Sequence, residues 1–105
     1  MKPTPAERRT TAMKCEAEGK ILQELGRRVG KTRDGREWES IDYLLQEDND
    51  IYHYHLRFTM TSFDGPVIDA PRLGDRVRVW FTVRATQWQG KWINSVNAHR
   101  VERII

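Results

Sequence analysis

The segment from Arg76 to Arg84 alternates strictly between apolar side chains and cationic or polar ones. Successive side chains of a β-strand point to opposite faces, so this period predicts a strand with one face in a core and one outside. The face predicted to be buried consists of Val77, Val79, Phe81 and Val83. The face predicted to lie outside consists of Arg76, Arg78, Trp80, Thr82 and Arg84. Cations interleaved with a flat ring suit a single-stranded nucleic acid, because they attract phosphates and stack on bases.

The residues that follow predict a β-hairpin. Gln89 and Gly90 form a two-residue connection to a further strand. In that register Val83 faces Val96, which keeps the apolar residues of both strands on one side. The same register brings three groups together on the outer side: Arg84, Trp88 and Lys91.

Five strands are predicted, so the fold class is all-β. They run from Lys14 or Glu18 to Leu25, Trp38 to Leu45, Ile51 to Met60, Arg76 to Gln87 and Trp92 to Arg103. A long connection that can hold a short helical turn, Phe63 to Leu73, joins strands three and four. This order predicts a five-stranded OB-fold barrel, which binds ligands on the face of strands two and three and on the connections between strands one and two and strands four and five.

The barrel also predicts where several apolar side chains of the chain lie. Ile21 and Leu25 are expected to anchor the first strand in the core, and Trp38 and Trp92 to close the barrel ends.

The 105 residues are expected to form one domain, residues 14–105, after a disordered basic arm at residues 1–13. One cysteine, no apolar run near the roughly 18–20 residues of a membrane helix and no signal peptide indicate a cytoplasmic protein without membrane contact.

Charge is distributed unevenly around a formal net charge of +3. The predicted connection between the first two strands, from Gly26 to Gly35, and the residue after it carry five cations: Arg27, Arg28, Lys31, Arg33 and Arg36. They are candidates for phosphate attraction, although a charged and solvated loop would look the same. The stretch from Glu37 to Asp50 holds six acids and neither lysine nor arginine. These carboxylates would repel phosphates unless they point elsewhere.

Two stretches resemble bacterial single-stranded DNA-binding proteins. The stretch from Gly74 to Trp88 is similar to that family's glycine turn, valine strand and tryptophan, and Ile93 to Ile104 is similar to its last strand. Tyr52-His53, followed by Phe58, resembles its aromatic–histidine pair, which precedes a core phenylalanine of the third strand. The resemblance implies that Tyr52 and Trp88 stack on bases. The tight turn at Gln89-Gly90 replaces that family's long finger, and its acidic tail is missing after Ile105, so its role in recruiting partners is not implied.

From Gly19 onward the chain resembles more closely a small uncharacterised family of such OB-folds. The shared features are a Gly-Lys-Ile start at residues 19–21, a Gly-x-x-Trp pattern at residues 35–38 and a Gly-Lys-Trp hairpin at residues 90–92.

These observations predict binding of single-stranded nucleic acid with little sequence preference, with DNA as the first candidate and RNA as the alternative. The candidate binding residues are Tyr52, Trp80, Trp88, Arg84, Lys91, Arg76, Arg78, Arg27, Arg28, Lys31, Arg33 and Arg36. The alternative is a protein-interaction or oligomeric assembly module on the same fold, with the outward tryptophans in an interface. Sheet edges and outward aromatic residues favour a homodimer or homotetramer in either case.

His53 and His55 share a strand face but lack a third ligand in sequence, and no catalytic motif is present, so we expect no metal, no cofactor and no enzyme activity.

Overall fold

A computed structural model, which describes residues 14–48, 51 and 53–104, contains five strands. They are β1 (Lys14–Lys31), β2 (Glu37–Glu47), β3 (His55–Phe63), β4 (Arg76–Trp88) and β5 (Lys91–Arg103). The long connection at residues 64–75 consists of bends and turns, and no helix occurs in the described part of the chain. The short helical turn is therefore not formed, and the proposed arm at residues 1–13 lies outside the described residues. No described segment is a helix of the length and apolarity that a membrane span requires.

The strands close into a barrel in the order β1-β2-β3-β5-β4. All neighbouring pairs are antiparallel except β3 and β5, which run parallel where Thr59 pairs with Asn97 and Met60 with Ala98. A five-stranded barrel in this order is the OB-fold, so the predicted fold class is confirmed.

Alternating side chains of four strands fill the barrel. The buried core consists of Ile21, Ile41, Tyr43, Leu45, Phe58, Val77, Val79 and Phe81. The rings of Tyr43 and Phe58 lie 5.5 Å apart in a tilted arrangement, and the Tyr43 hydroxyl donates to the carbonyl of Pro71 at 3.0 Å. Each large apolar side chain buried in this way contributes about 1.5–3 kcal/mol to folding. The period of two in β4 therefore correctly predicted burial of Val77, Val79 and Phe81, while Val83 is half-buried and packs against this core.

The first strand is longer than predicted, because β1 continues through Lys31. Its second half forms a ladder with β2, in which Arg28 pairs with Ser40 and Lys31 with Glu37. The predicted loop from Gly26 to Gly35 is therefore wrong, and the turn occupies only residues 32–36. Leu25 is also not a core anchor: it lies at a register shift between Glu24 and Gly26 and is 42% exposed. A bulge places its side chain outside the barrel.

The β4–β5 hairpin has the predicted register, with Val83 opposite Val96 and Trp88 opposite Lys91. Among the described residues, the pairing of β4 with β1 ends at Thr82 and the pairing of β5 with β3 begins at Asn97. Within the described part of the chain, residues 84–95 therefore pair only with one another as a two-stranded extension, here called the β4–β5 arm. Trp92 lies on this arm and is 71% exposed, so the prediction that it closes a barrel end is wrong.

Two further strand limits differ from the sequence expectation. The third strand begins at His55 rather than at Ile51, which is exposed and outside the strand. It also extends to Phe63, three residues beyond the predicted end. The strand is therefore shifted toward the C-terminus and is nine residues long, so its outer face beside β2 ends at Phe63.

Candidate nucleic-acid interface

One face of the β4–β5 arm presents a tryptophan beside two cations. Trp88 lies directly opposite Lys91, and Arg84 lies opposite Ser95 on the same face. The turn has positive φ at both central residues, Gln89 (47°) and Gly90 (77°), as a tight hairpin turn requires. The Trp88 side chain is 61% exposed. Neither Arg84 nor Lys91 makes an ion pair with any residue that the structure describes.

A groove with a volume of about 700 Å³ runs from the outer face of β2 and β3 to β5. Its lining residues are mainly polar, and those on the outer face with hydroxyl or amide side chains are Ser40, Thr59, Thr61, Ser95 and Asn97. Asn97 pairs with Thr59 of β3 and with Thr82 of β4, so the outer face is continuous from β3 across β5. Side chains two residues apart share a face, which extends this surface through Ser95 and Ile93 to the arm. The groove and the Trp88 face are therefore parts of one surface.

A buried carboxylate and two arginines lie in the groove. The Asp42 side chain is 9% exposed, and those of Arg28 and Arg57 are 60% and 67% exposed. Asp42 accepts hydrogen bonds from Thr59 Oγ1 at 2.6 Å, Arg57 Nη2 at 3.1 Å and Arg28 Nη2 at 3.2 Å. Burial opposes ionisation of Asp42, but the hydrogen bonds from Thr59 and Arg57 and the charge of Arg28 outweigh it and lower its pKa. Asp42 is therefore a carboxylate at neutral pH.

A second aromatic cluster lies on the outer face at the far end of β2 and β3. Trp38 pairs with Phe63 across these strands, and it is half-buried against Gly30 of β1. The Arg36 guanidinium lies 5.9 Å from the centre of the Phe63 ring and 3.2 Å from Asp34. Trp38 also borders an apolar cavity of about 340 Å³ beside Pro66. Trp38 therefore offers an aromatic edge to the same face as the groove.

The cations of residues 27–36 separate because β1 alternates there. Arg28 points into the groove, whereas Arg27, opposite Ile41, lies on the other face and is held by Glu24 at 2.9 Å and Glu39 at 3.4 Å. Lys31 and Arg33 are exposed and form no ion pair with described residues. The five cations of the sequence motif therefore do not act as one patch.

Three further sequence candidates lie on the side of the barrel formed by β1, β4 and the end of β5. Arg78 pairs with Glu18, and Arg76 pairs with Asp48. The half-buried ring of Trp80 lies between two guanidinium groups, 4.8 Å from Arg100 and 5.8 Å from Arg78. Trp80 and Trp88 are eight residues apart on one strand, a span of about 26 Å if extended. The structure therefore does not bring these residues together with Trp88.

Tyr52 lies outside the described residues, so its predicted stacking role stays a prediction. The Nδ1 atom of its neighbour His53 lies 2.8 Å from Nε2 of Gln46, within hydrogen-bond distance. His55 lines the groove. Among residues 14–48, 51 and 53–104 no group of three histidine, cysteine or acidic side chains could hold a metal ion.

Sequence reasoning missed the groove residues Arg57, Thr59 and Thr61. A signal was available, because Phe58 was assigned to the core and its neighbours at odd positions then had to point outward. Ser95 and Asn97 carried no comparable signal, since small polar residues on a strand are common on any solvated face. Their position follows only from the parallel pairing of β3 with β5.

Comparison with known proteins supports the fold. Residues 16–102 match the family described as "Domain of unknown function (DUF3127)". The chain is similar to a dimeric structure of the N-terminal domain of PriB protein from Thermoanaerobacter tencongensis, with a TM-score of 0.53, 16% identity and coverage of 89% of this chain and 97% of that one. It also matches a small single-stranded DNA-binding protein from Streptomyces coelicolor, with a TM-score of 0.43, 13% identity and coverage of 89% and 94%. No curated protein matches the sequence. Its domain has the OB-fold, and the chain belongs to the DUF3127 family.

Proposed function

We propose that this domain binds single-stranded nucleic acid, DNA in the first place, with little sequence preference. The observation that carries the proposal is the continuous outer surface from the polar groove to the β4–β5 arm, where Trp88 lies opposite Lys91 and shares a face with Arg84. This surface combines the two elements that single strands require, an aromatic platform and cations that are available to phosphates. It also coincides with the face on which OB-folds bind extended ligands.

Each part of the surface has a defined role in the proposal. Trp88 stacks on a base, which contributes about 1–3 kcal/mol and accepts any base because every base has a π-face. Arg84 and Lys91 attract phosphates next to that base. The strand then follows the hydroxyl and amide side chains of the groove toward Trp38, and Tyr52 remains a proposed second stacking residue. The low sequence preference follows because stacking and phosphate contacts carry little base information.

The remaining candidates contribute less directly. Lys31 and Arg33 lie near the β1–β2 turn and are proposed to attract the strand at longer range, together with Arg36. Arg76 and Arg78 would have to exchange Asp48 and Glu18 for phosphates before binding a strand. Trp80 and Arg27 are likewise engaged by neighbouring side chains. We therefore propose the groove and the arm as the primary surface.

An assembly role without nucleic acid is the second candidate function. Apolar side chains are exposed on both faces of the arm, with Trp88 and Ile93 on one face and Trp92 on the other. An exposed cluster of this kind is typical of a protein interface. The PriB domain to which the chain is similar is dimeric, and we propose a homodimer here as well. The proposed location is the cytoplasm, which fits the single cysteine.

The direct test is a titration of the full chain with oligo-dT, followed by intrinsic tryptophan fluorescence at two salt concentrations. Binding by stacking is expected to quench the emission, and added salt is expected to weaken binding because counterions are released. Oligo-rU and duplex DNA in parallel titrations separate DNA from RNA and single from double strands. Absence of quenching at low salt would reject nucleic-acid binding. Concentration-dependent burial of tryptophan without ligand would then favour the assembly role.

A further inference from the structure

The groove contains two arginines that share a single anionic partner. Arg28 of β1 and Arg57 of β3 converge on Asp42 of β2, one on each carboxylate oxygen. Each arginine uses only Nη2 for this bond, and neither guanidinium forms another hydrogen bond with the described residues. Both side chains are mostly exposed while the carboxylate between them is buried. The remaining N–H groups of both arginines are therefore available to a ligand.

The chemistry of this arrangement suits a phosphate. Carboxylate and phosphodiester groups both present two oxygens, which guanidinium groups bind with charge-assisted hydrogen bonds. Arg28, Arg57 and Asp42 together carry a net charge of +1, so the cluster still attracts an anion. A phosphate that contacts both arginines must, however, lie close to a carboxylate that solvent screens poorly.

We propose that Arg28 and Arg57 form a phosphate subsite for the bound strand, and that Asp42 holds both arginines in the free protein and competes with that phosphate. The proposal rests on the proposed function, because it assigns a residue-level role within the same groove. Asp42 then limits the affinity of the domain and favours rapid release of the strand. Asp42, one of the acids of β2 that the sequence sets against phosphate binding, then lowers the strength of binding without preventing it.

The test compares full-length wild type with Asp42→Asn, which keeps the shape of the side chain and removes its charge. Binding of a fluorescent oligo-dT is measured by anisotropy over a series of salt concentrations. The variant is expected to bind about threefold to tenfold more tightly at low salt. The slope of the logarithm of the binding constant against the logarithm of the salt concentration is expected to become steeper by about 0.7. Glu18→Gln is the matched control, because it makes the same chemical change beside Arg78 outside the groove and should leave binding unchanged.

Arg57→Gln supplies an independent measurement if Asp42→Asn does not fold, since the Arg57 side chain is largely exposed. It is expected to weaken binding and to lower the salt dependence by about 0.7. If wild type binds and folded Arg57→Gln leaves both the affinity and the salt dependence unchanged, the phosphate subsite is rejected while nucleic-acid binding stands. A folded Asp42→Asn that leaves both unchanged rejects competition by Asp42. Weaker binding by Asp42→Asn would also reject competition by Asp42. If no protein in the series binds, the proposed function itself is rejected.

Discussion

The indole of Trp38 lies so close to Gly30 that a Cβ atom on residue 30 would come within 2.6 Å of the ring carbon Cζ2. The two residues pair directly across β1 and β2. Glycine is therefore required at position 30, because only a residue without a Cβ atom lets the Trp38 ring pack against the β1 backbone at the end of the binding face. Because Trp38 also borders the cavity beside Pro66, a shift of the ring would alter that end of the surface.

Gly30→Ala is expected to lower the free energy of unfolding by about 1–3 kcal/mol, because the ring or the strand must move to admit the methyl group. Urea unfolding followed by fluorescence measures the change. Gly26→Ala is the matched control on the same strand, since a Cβ there would meet nothing within 4 Å and the backbone is not in the left-handed region. Equal losses in the two variants would contradict the packing role of Gly30.

The sequence predicted the parts of the fold that depend on local periodicity. Val77 and Val79 are buried as the period of two requires, and the turn at Gln89-Gly90 set the register of the last hairpin. The end of β1 was not predictable in this way. Glycine and clustered arginines are typical of a loop, yet hydrogen bonds to β2 hold that stretch in a strand, and the bulge at Leu25 follows only from that pairing.

The candidate site was predicted unevenly for the same reason. Arg84, Trp88 and Lys91 lie on one hairpin, so their proximity follows from a turn and a period of two. Arg28, Asp42 and Arg57 meet only because β1, β2 and β3 are neighbours in a particular register. Exposure of Trp92 likewise depends on where β4 and β5 lose their barrel partners, a property of the assembled sheet.

Trp88→Ala is expected to weaken oligo-dT binding by about 1–3 kcal/mol, the cost of losing one base–aromatic stack. Anisotropy of a labelled oligonucleotide measures this without relying on tryptophan emission. Trp92→Ala is the control, because Trp92 is also largely exposed and lies on the same arm but on its other face. Similar losses from both variants would show that the arm binds through general apolar contact rather than through the Trp88 face.

The double variant Arg84→Gln, Lys91→Gln is expected to reduce the salt dependence of binding by about 1.4 on logarithmic axes, since each phosphate contact on a single strand contributes about 0.7. Its affinity is expected to fall most at low salt, where counterion release favours binding most. Arg76→Gln is the control, because Arg76 is paired with Asp48. A larger change in the slope for Arg76→Gln than for the double variant would contradict the prediction. It would indicate that the phosphate contacts lie on the side of the barrel formed by β1 and β4.

Asp42 makes the stability of the domain depend on pH in the acidic range. Its pKa in the folded protein lies below the ordinary value of 3.8, so the folded state binds protons less readily than the unfolded state. The stabilisation is therefore fully present above the unfolded-state pKa and is lost as the pH falls through the folded-state pKa.

Because both arginines are exposed and solvent screens them, we expect Asp42→Asn to cost only about 1 kcal/mol at neutral pH. Urea unfolding of wild type and the variant at about pH 7, 5 and 3 should show a constant difference down to about pH 5 and a smaller one at about pH 3. A difference that stays constant to about pH 3 would mean that the ionisation of Asp42 contributes nothing to folding, and that Thr59 and the arginines hold a neutral side chain equally well.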